Sequence, residues 1–347
     1  MKKQVVRSDL WIDGAFDKRL AQEKDIAVSV FPVRGDTQRA LDTLASAHVY
    51  HISAAKDELP KEWFARAELL ARCPKLLCVS SNGAGYDTVD VAACTAAGVI
   101  VVNQAGGNAA SVAEHTLGLM LGVSRRMIEG DRRLHREIGY SRESVMGHEI
   151  QGKTIGLVGI GHIGKRVAKL ARAFGMNVIA TDPFVHPDEI IRRGAKAVSF
   201  EELLTQSDFV SLHCPRDAST MKMMNAATFS KMKKGSIFIT TARGGIHDEA
   251  ALVEALESGH LAGAGIDVWD QEPPPLDHPL LAMDNVYGTF HMAGVTHESR
   301  RNVAAIGAEQ IADLLAGGSP PRLINPEAWP EFLKRRAQIL EQTIMAH

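Results

Sequence analysis

One stretch limits this chain more than any other: Thr154 to Asp182, TIGLVGIGHIGKRVAKLARAFGMNVIATD. An apolar run leads into Gly159-x-Gly161-x-x-Gly164, an amphipathic helix pattern follows, and a second apolar run ends on Asp182, eighteen residues after the last glycine. Glycines that follow a strand and open a helix, with an acid at that distance, form the dinucleotide-binding fingerprint of an open α/β sheet. Gly159 permits the tight turn, Gly161 lets a pyrophosphate approach the backbone, and Gly164 lets helix and strand pack closely. His162 and Ile163 lie inside the turn, beside the unpaired N–H groups of a helix N-terminus that suit phosphates. Asp182 would accept hydrogen bonds from the ribose hydroxyls, and its charge would repel a 2′-phosphate. The expectation is NAD rather than NADP.

With 347 residues the chain has room for two domains, each with a core of its own. Its 39 basic residues balance 41 acidic ones, so no field favours nucleic acid or an anionic membrane. The four cysteines (Cys73, Cys78, Cys94, Cys214) make no CxxC pair, as expected of small buried residues in a reducing cytoplasm. The start, MKKQVVRSDLWIDG, has no apolar core of a signal peptide, and no apolar run reaches membrane-spanning length. A cytoplasmic protein without nucleic-acid or membrane partners is expected.

Strand-like runs follow the fingerprint at regular intervals: 155–158, 178–181, 208–212, 236–241, 262–266 and 285–289. Helical patterns fill the gaps, including Asp248 to Ser258 closed by Gly259. That is the inventory of one doubly wound sheet. Ahead of it, 25–31, 47–52, 75–80 and 99–102 read as strands of a second, smaller α/β unit. A strongly amphipathic helix at 302–316 has no place in a sheet already complete, so it is expected to pack back on the first unit. The fold class expected is therefore α/β, with two Rossmann-like or flavodoxin-like domains, doubly wound parallel sheets and an interdomain cleft. The substrate-binding domain is expected at 1–107 plus 294–347 and the NAD-binding domain at 108–293. Asn108 to Ile138 reads as one long connecting helix, and its basic stretch at 125–137 as a solvated or subunit-facing surface.

Ligands of such sheets bind beyond the carboxyl ends of the strands. Arg243 follows SIFITTA, Asp267, Asp270 and Glu272 follow AGAGI, and His291 follows VYGTF. A guanidinium, a carboxylate and an imidazole together suit reduction of a 2-keto acid. The arginine would hold the carboxylate and polarise the keto oxygen, and the histidine would supply the proton while a carboxylate orients its ring.

The strings NGAGYDTVD (82–90), VAEHTLGLML (112–121), GLVGIGHIG (156–164), LHCP (212–215), MKKGSIFITTARGGIHDEAALVEAL (232–256), GAGIDVWDQEPP (263–274) and HMAGVTHES (291–299) come in an order and spacing that resemble the D-isomer-specific 2-hydroxyacid dehydrogenase family. The resemblance runs from about residue 75 to 325. It implies that Arg243 binds the substrate carboxylate and carbonyl and that Glu272 pairs with His291, the acid/base. It also implies that Asp267 faces the nicotinamide, that Ala242 and Pro215 line the cofactor, and that Asn82, Gly83 and Ala84 form a carboxylate-binding loop. A small 2-keto or 2-hydroxy acid substrate, NAD and a homodimer formed through the 108–138 region follow from it.

Within that resemblance Glu272 matters, because formate dehydrogenases of the superfamily carry glutamine there and need no proton donor. Ser81 falls where phosphoglycerate dehydrogenases carry a phosphate-reading arginine. The chain also ends too soon after Ile324 for the regulatory domain most of them add. A non-phosphorylated acid such as glyoxylate or hydroxypyruvate is the expectation. PRDAST (215–220) departs from the family's usual turn. The alternative is a non-enzymatic NAD-sensing, corepressor-like protein, which shares the fold and the same three residues.

Overall fold

The computed structural model describes residues 2–139 and 141–341. The chain divides into two compact units, Met1–Asn108 with Thr296–His347, and Ala109–Val295. In the first, β1 (Lys3–Ser8), β2 (Ile26–Phe31), β3 (Val49–Ser53), β4 (Cys78–Asn82) and β5 (Ile100–Val102) form one parallel sheet in the order β2-β1-β3-β4-β5. Successive residues go to opposite faces. Val5 joins a core with Phe16, Leu20 and Ile311, while Val6 joins Tyr50, Trp63 and Leu44. A parallel strand buried on both faces tends to read as a continuous apolar run rather than as an alternation. The helix His297–Ala316 supplies Ala304, Ala308, Ile311, Leu314 and Leu315 to the first of those cores. The C-terminal segment thus covers one face of the N-terminal sheet.

The second unit holds β6 (Thr154–Val158), β7 (Asn177–Thr181), β8 (Lys196–Ala197), β9 (Phe209–Leu212), β10 (Ser236–Thr240), β11 (Leu261–Ile266) and β12 (Val286–Gly288). Their order is β12-β11-β10-β9-β6-β7-β8, all parallel, so the direction of winding reverses between β6 and β9. Two strands escaped the sequence reading. β1 starts in a polar terminus, and β8 pairs with β7 at the sheet edge through only Lys196 and Ala197. Neither run is long enough to stand out from its flanks.

The expected long helix over 108–138 is two helices, Ala109–Ser124 and Met127–Leu134. Arg126 breaks it with a left-handed φ of 51°, and its guanidinium then reaches Glu129 at 2.6 and 2.7 Å. Arg133 closes on the same carboxylate at 2.8 Å, leaving Glu129 buried among basic neighbours. The basic stretch is in part this internal ion cluster rather than wholly a solvated face. Cys73, Cys78 and Cys94 are buried, and burial pushes their thiols up. Among the described residues, no helix is long and apolar enough to cross a membrane.

Candidate functional site

The turn after β6 is shaped by its glycines. Gly159 has φ 93°, and a Cβ there would lie 2.9 Å from the His213 carbonyl. A Cβ on Gly164 would run into the Gly159 carbonyl oxygen, so the helix Gly164–Ala173 starts as close to the strand as backbone permits. Gly161 faces open space, with nothing within 4 Å of where its Cβ would stand. His162 is exposed and Ile163 half-buried at the helix start. Asp182, at the end of β7, accepts the Ile160 N–H at 3.0 Å and the Phe184 N–H at 3.0 Å. The acid is thereby pinned against the glycine turn, with further lone pairs for hydroxyl donors. A tight turn, an open approach at Gly161 and an acid held beside them fit a dinucleotide's pyrophosphate and ribose.

Beyond β10, β11 and β12 the expected trio sits on three different connections. His291 stands after β12 at φ 53°, a left-handed conformation that costs a non-glycine residue roughly 1 kcal/mol or more. Its Nδ1 lies 3.0 Å from Glu272 Oε2, while Glu272 Oε1 accepts the Trp269 N–H at 3.1 Å. Partial burial pushes the Glu272 carboxyl up, but the His291 ring, the Trp269 N–H and the Arg243 charge outweigh it and hold it below the usual glutamate range. Because Glu272 is ionised, His291 Nδ1 must be the donor of that bond, which leaves Nε2 to carry the exchangeable proton. Arg243 donates from Nη1 to the Ala242 carbonyl at 2.7 Å. Ala242 itself is buried, and Pro215, on the connection after β9, is exposed with its carbonyl accepting the Thr220 hydroxyl at 2.8 Å.

Asp267, expected beside the nicotinamide, is completely buried and engaged with its own chain. Oδ1 accepts the Thr289 hydroxyl at 2.6 Å and the Met292 N–H at 2.8 Å, and Oδ2 accepts the Ala293 N–H at 2.9 Å. Its backbone carbonyl takes the His291 N–H at 2.6 Å. One acid therefore holds the Thr289 side chain before the strained histidine and the backbone N–H groups from 291 to 293. The adjoining connections are laced together as well. Asp270 accepts the Gly245 N–H at 2.6 Å and donates its own N–H to Glu249 at 2.9 Å, and His278 sits 3.1 Å from the other Glu249 oxygen.

In the first unit, Asn82 ends β4 and Gly83 follows at φ 144°. The Gly83 N–H already donates to Gln104 Oε1 at 2.7 Å and to the Ser81 carbonyl at 3.0 Å, and the Ala84 carbonyl accepts Asn103 Nδ2 at 2.8 Å. An anion at this loop has to compete with Gln104 for that donor. Ser81, just before this loop, is fully buried, and its hydroxyl donates to the Gly85 carbonyl at 2.6 Å.

Sequence reasoning did not single out His115, Thr289 or Trp269, which brace this cluster. His115 Nε2 lies 3.0 Å from the Thr289 hydroxyl, and Trp269 Nε1 donates to the Thr289 carbonyl at 2.8 Å. The available signal was a histidine set in the apolar helix VAEHTLGLML.

Residues 117–293 match the family described as D-isomer specific 2-hydroxyacid dehydrogenase, NAD binding domain. A D-3-phosphoglycerate dehydrogenase of Archaeoglobus fulgidus is 43% identical over 251 residues, covering 72% of this chain and 47% of that protein. The chain thus spans about half the length of the phosphoglycerate dehydrogenases it matches. A glyoxylate reductase of Korarchaeum cryptofilum is 37% identical over 264 residues, covering 75% of this chain and 80% of its own length. Among solved structures, a glyoxylate reductase from Paecilomyes thermophila superposes with a TM-score of 0.82 at 29% identity, over 94% of this chain and 99% of that one. The chain belongs to the D-isomer specific 2-hydroxyacid dehydrogenase family, and its second unit carries that family's NAD-binding domain.

Proposed function

We propose that this protein interconverts a D-2-hydroxyacid and a 2-keto acid with NAD(H), His291 acting as acid/base, Glu272 as its partner and Arg243 as the group that binds the substrate carboxylate and carbonyl. The observation that carries the reading is the His291–Glu272 pair at 3.0 Å, on a sheet whose first turn fits a dinucleotide. When bound, the nicotinamide supplies or accepts a hydride. The protein's own part is to hold the acid by its carboxylate, polarise its carbonyl and deliver a proton. The ring gives up its Nε2 proton to the oxygen and keeps Nδ1–H toward Glu272. The reverse reaction takes the proton back along the same path.

Gly159, Gly161, His162, Ile163 and Gly164 are assigned to the phosphates, Asp182 to the ribose, and Pro215, Ala242 and Asp267 to the nicotinamide end. Asn82, Gly83 and Ala84 are assigned to the substrate carboxylate. A homodimer and a cytoplasmic location complete the reading. The relatives described above are named as dehydrogenases or reductases, and the corepressor-like alternative finds no support among them. The test follows NADH and NADPH absorbance at neutral pH with glyoxylate, hydroxypyruvate, pyruvate, phenylpyruvate and 3-phosphohydroxypyruvate. Turnover of one acid with NADH establishes the activity and its substrate class. Intact NADH binding with no turnover of any of them defeats the reading.

A further inference from the structure

Behind the His291–Glu272 pair stands a second histidine–carboxylate pair, made by residues with no part in the proposed proton transfer. His115 belongs to the helix Ala109–Ser124 and Asp267 follows β11. A Cβ on Gly263 would lie 2.6 Å from Val123, and one on Gly265 would lie 2.8 Å from the Leu119 Cβ. The two glycines of LAGAGI therefore set how closely the helix lies on the strand. Four residues of helix rise about 6 Å and two residues of strand about 6.6 Å, so the contacts stay in step. Val123 meets Gly263, Leu119 meets Gly265, and one turn further on His115 comes beside Asp267, with Nε2 to Oδ1 at 3.7 Å.

The direct link runs through Thr289. Its hydroxyl donates to Asp267 Oδ1 at 2.6 Å. The same oxygen must then accept at 3.0 Å from His115, which fixes the proton on Nε2. A chain of donors results: His115 Nε2–H to Thr289 hydroxyl to Asp267 carboxylate. That carboxylate in turn receives the N–H groups of Met292 and Ala293. A left-handed histidine persists only where its surroundings over-determine it, and here they reach back to a helix 174 residues earlier in the chain.

We propose that His115 is a positioning residue for the reaction: through Thr289 and Asp267 it holds the backbone at 291–293, and so keeps the His291 ring in register with Glu272. The proposal rests on the function assigned to His291 above. Its test compares His115→Leu with His115→Gln, whose amide still donates, and Thr289→Val with Thr289→Ser. His115→Leu should lower kcat about tenfold or more, with KM for NADH changed by no more than about twofold. His115→Gln should recover most of that loss, Thr289→Val should reproduce it, and the double variant should be no worse than either single one. Independently of turnover, the downfield Nδ1 proton of His291 in the NMR spectrum should be sharp in the wild type and Thr289→Ser, and exchange-broadened in Thr289→Val. If His115→Leu fails to fold, the Thr289 pair decides alone. Wild-type kcat with a sharp proton in Thr289→Val overturns the proposal, as do equal losses in the Gln and Leu variants. A wild type inactive on every keto acid would instead count against the assigned function, and the NMR comparison would still decide whether His115 and Thr289 hold the ring.

Discussion

The glycine turn at 159–164 and the cluster around His291 lie in the same unit but are built in opposite ways. The turn is local: glycines, helix and acid belong to one strand–helix–strand segment, and the bond from Ile160 N–H to Asp182 spans 22 residues. The cluster is assembled from the connections after three strands, and its bracing reaches back to His115. A site assembled from separate segments depends on packing far from the reacting atoms, whereas a local turn depends mostly on its own sequence. Cofactor handling and chemistry should therefore be separable by mutation.

The largest expected effect breaks the chemistry alone. His291→Asn removes the proton donor and should lower kcat by about 10²–10⁴-fold, with the Kd for NADH near the wild-type value in a fluorescence titration. If NADH binding fell in proportion, the turn and the cluster would be one coupled device. Retention of wild-type turnover would remove His291 from the mechanism.

The complementary effect is smaller and falls on the cofactor. Asp182→Ala loses the acceptor assigned to the ribose, a charged hydrogen bond of roughly 1.5–3 kcal/mol, or about ten- to 150-fold in NADH affinity. It also frees the N–H groups of Ile160 and Phe184, and any loosening of the turn would weaken both cofactors alike. The ratio of NADH to NADPH affinity is thus the informative number, and it should fall. An unchanged ratio would place Asp182 away from the ribose.

The same contrast explains what could be read in advance. Six strands of the larger sheet announced themselves as apolar runs, and the turn as glycines whose roles are set by backbone geometry. Arg243, Glu272 and His291 were found by their positions after strands and by resemblance, since nothing local distinguishes one of fourteen histidines from another. The brace was not legible. No sequence rule says that Gly263 and Gly265 are there to admit Val123 and Leu119, or that His115 will consequently face Thr289. The break at Arg126 was equally hidden, because a left-handed arginine has no compositional signature.

The smallest effect tests the charge inside the cluster. Glu272→Gln keeps an oxygen for the His291 Nδ1–H but removes the carboxylate charge, and stability against pH carries the signature. The folded protein holds the Glu272 carboxyl below its ordinary range, despite a burial cost, through His291, Trp269 and Arg243. A depressed carboxyl contributes stability that is fully present above its unfolded value of about 4.3 and is lost as pH falls through the lower folded value. The glutamine variant has no such group. Its denaturation midpoint should therefore lie below that of the wild type at neutral pH, and the gap should close as the solution is acidified past the ordinary glutamate range. Parallel curves down to the lowest pH at which both fold would mean that the fold does not favour the ionised carboxylate, and that Glu272 orients His291 by geometry rather than by charge.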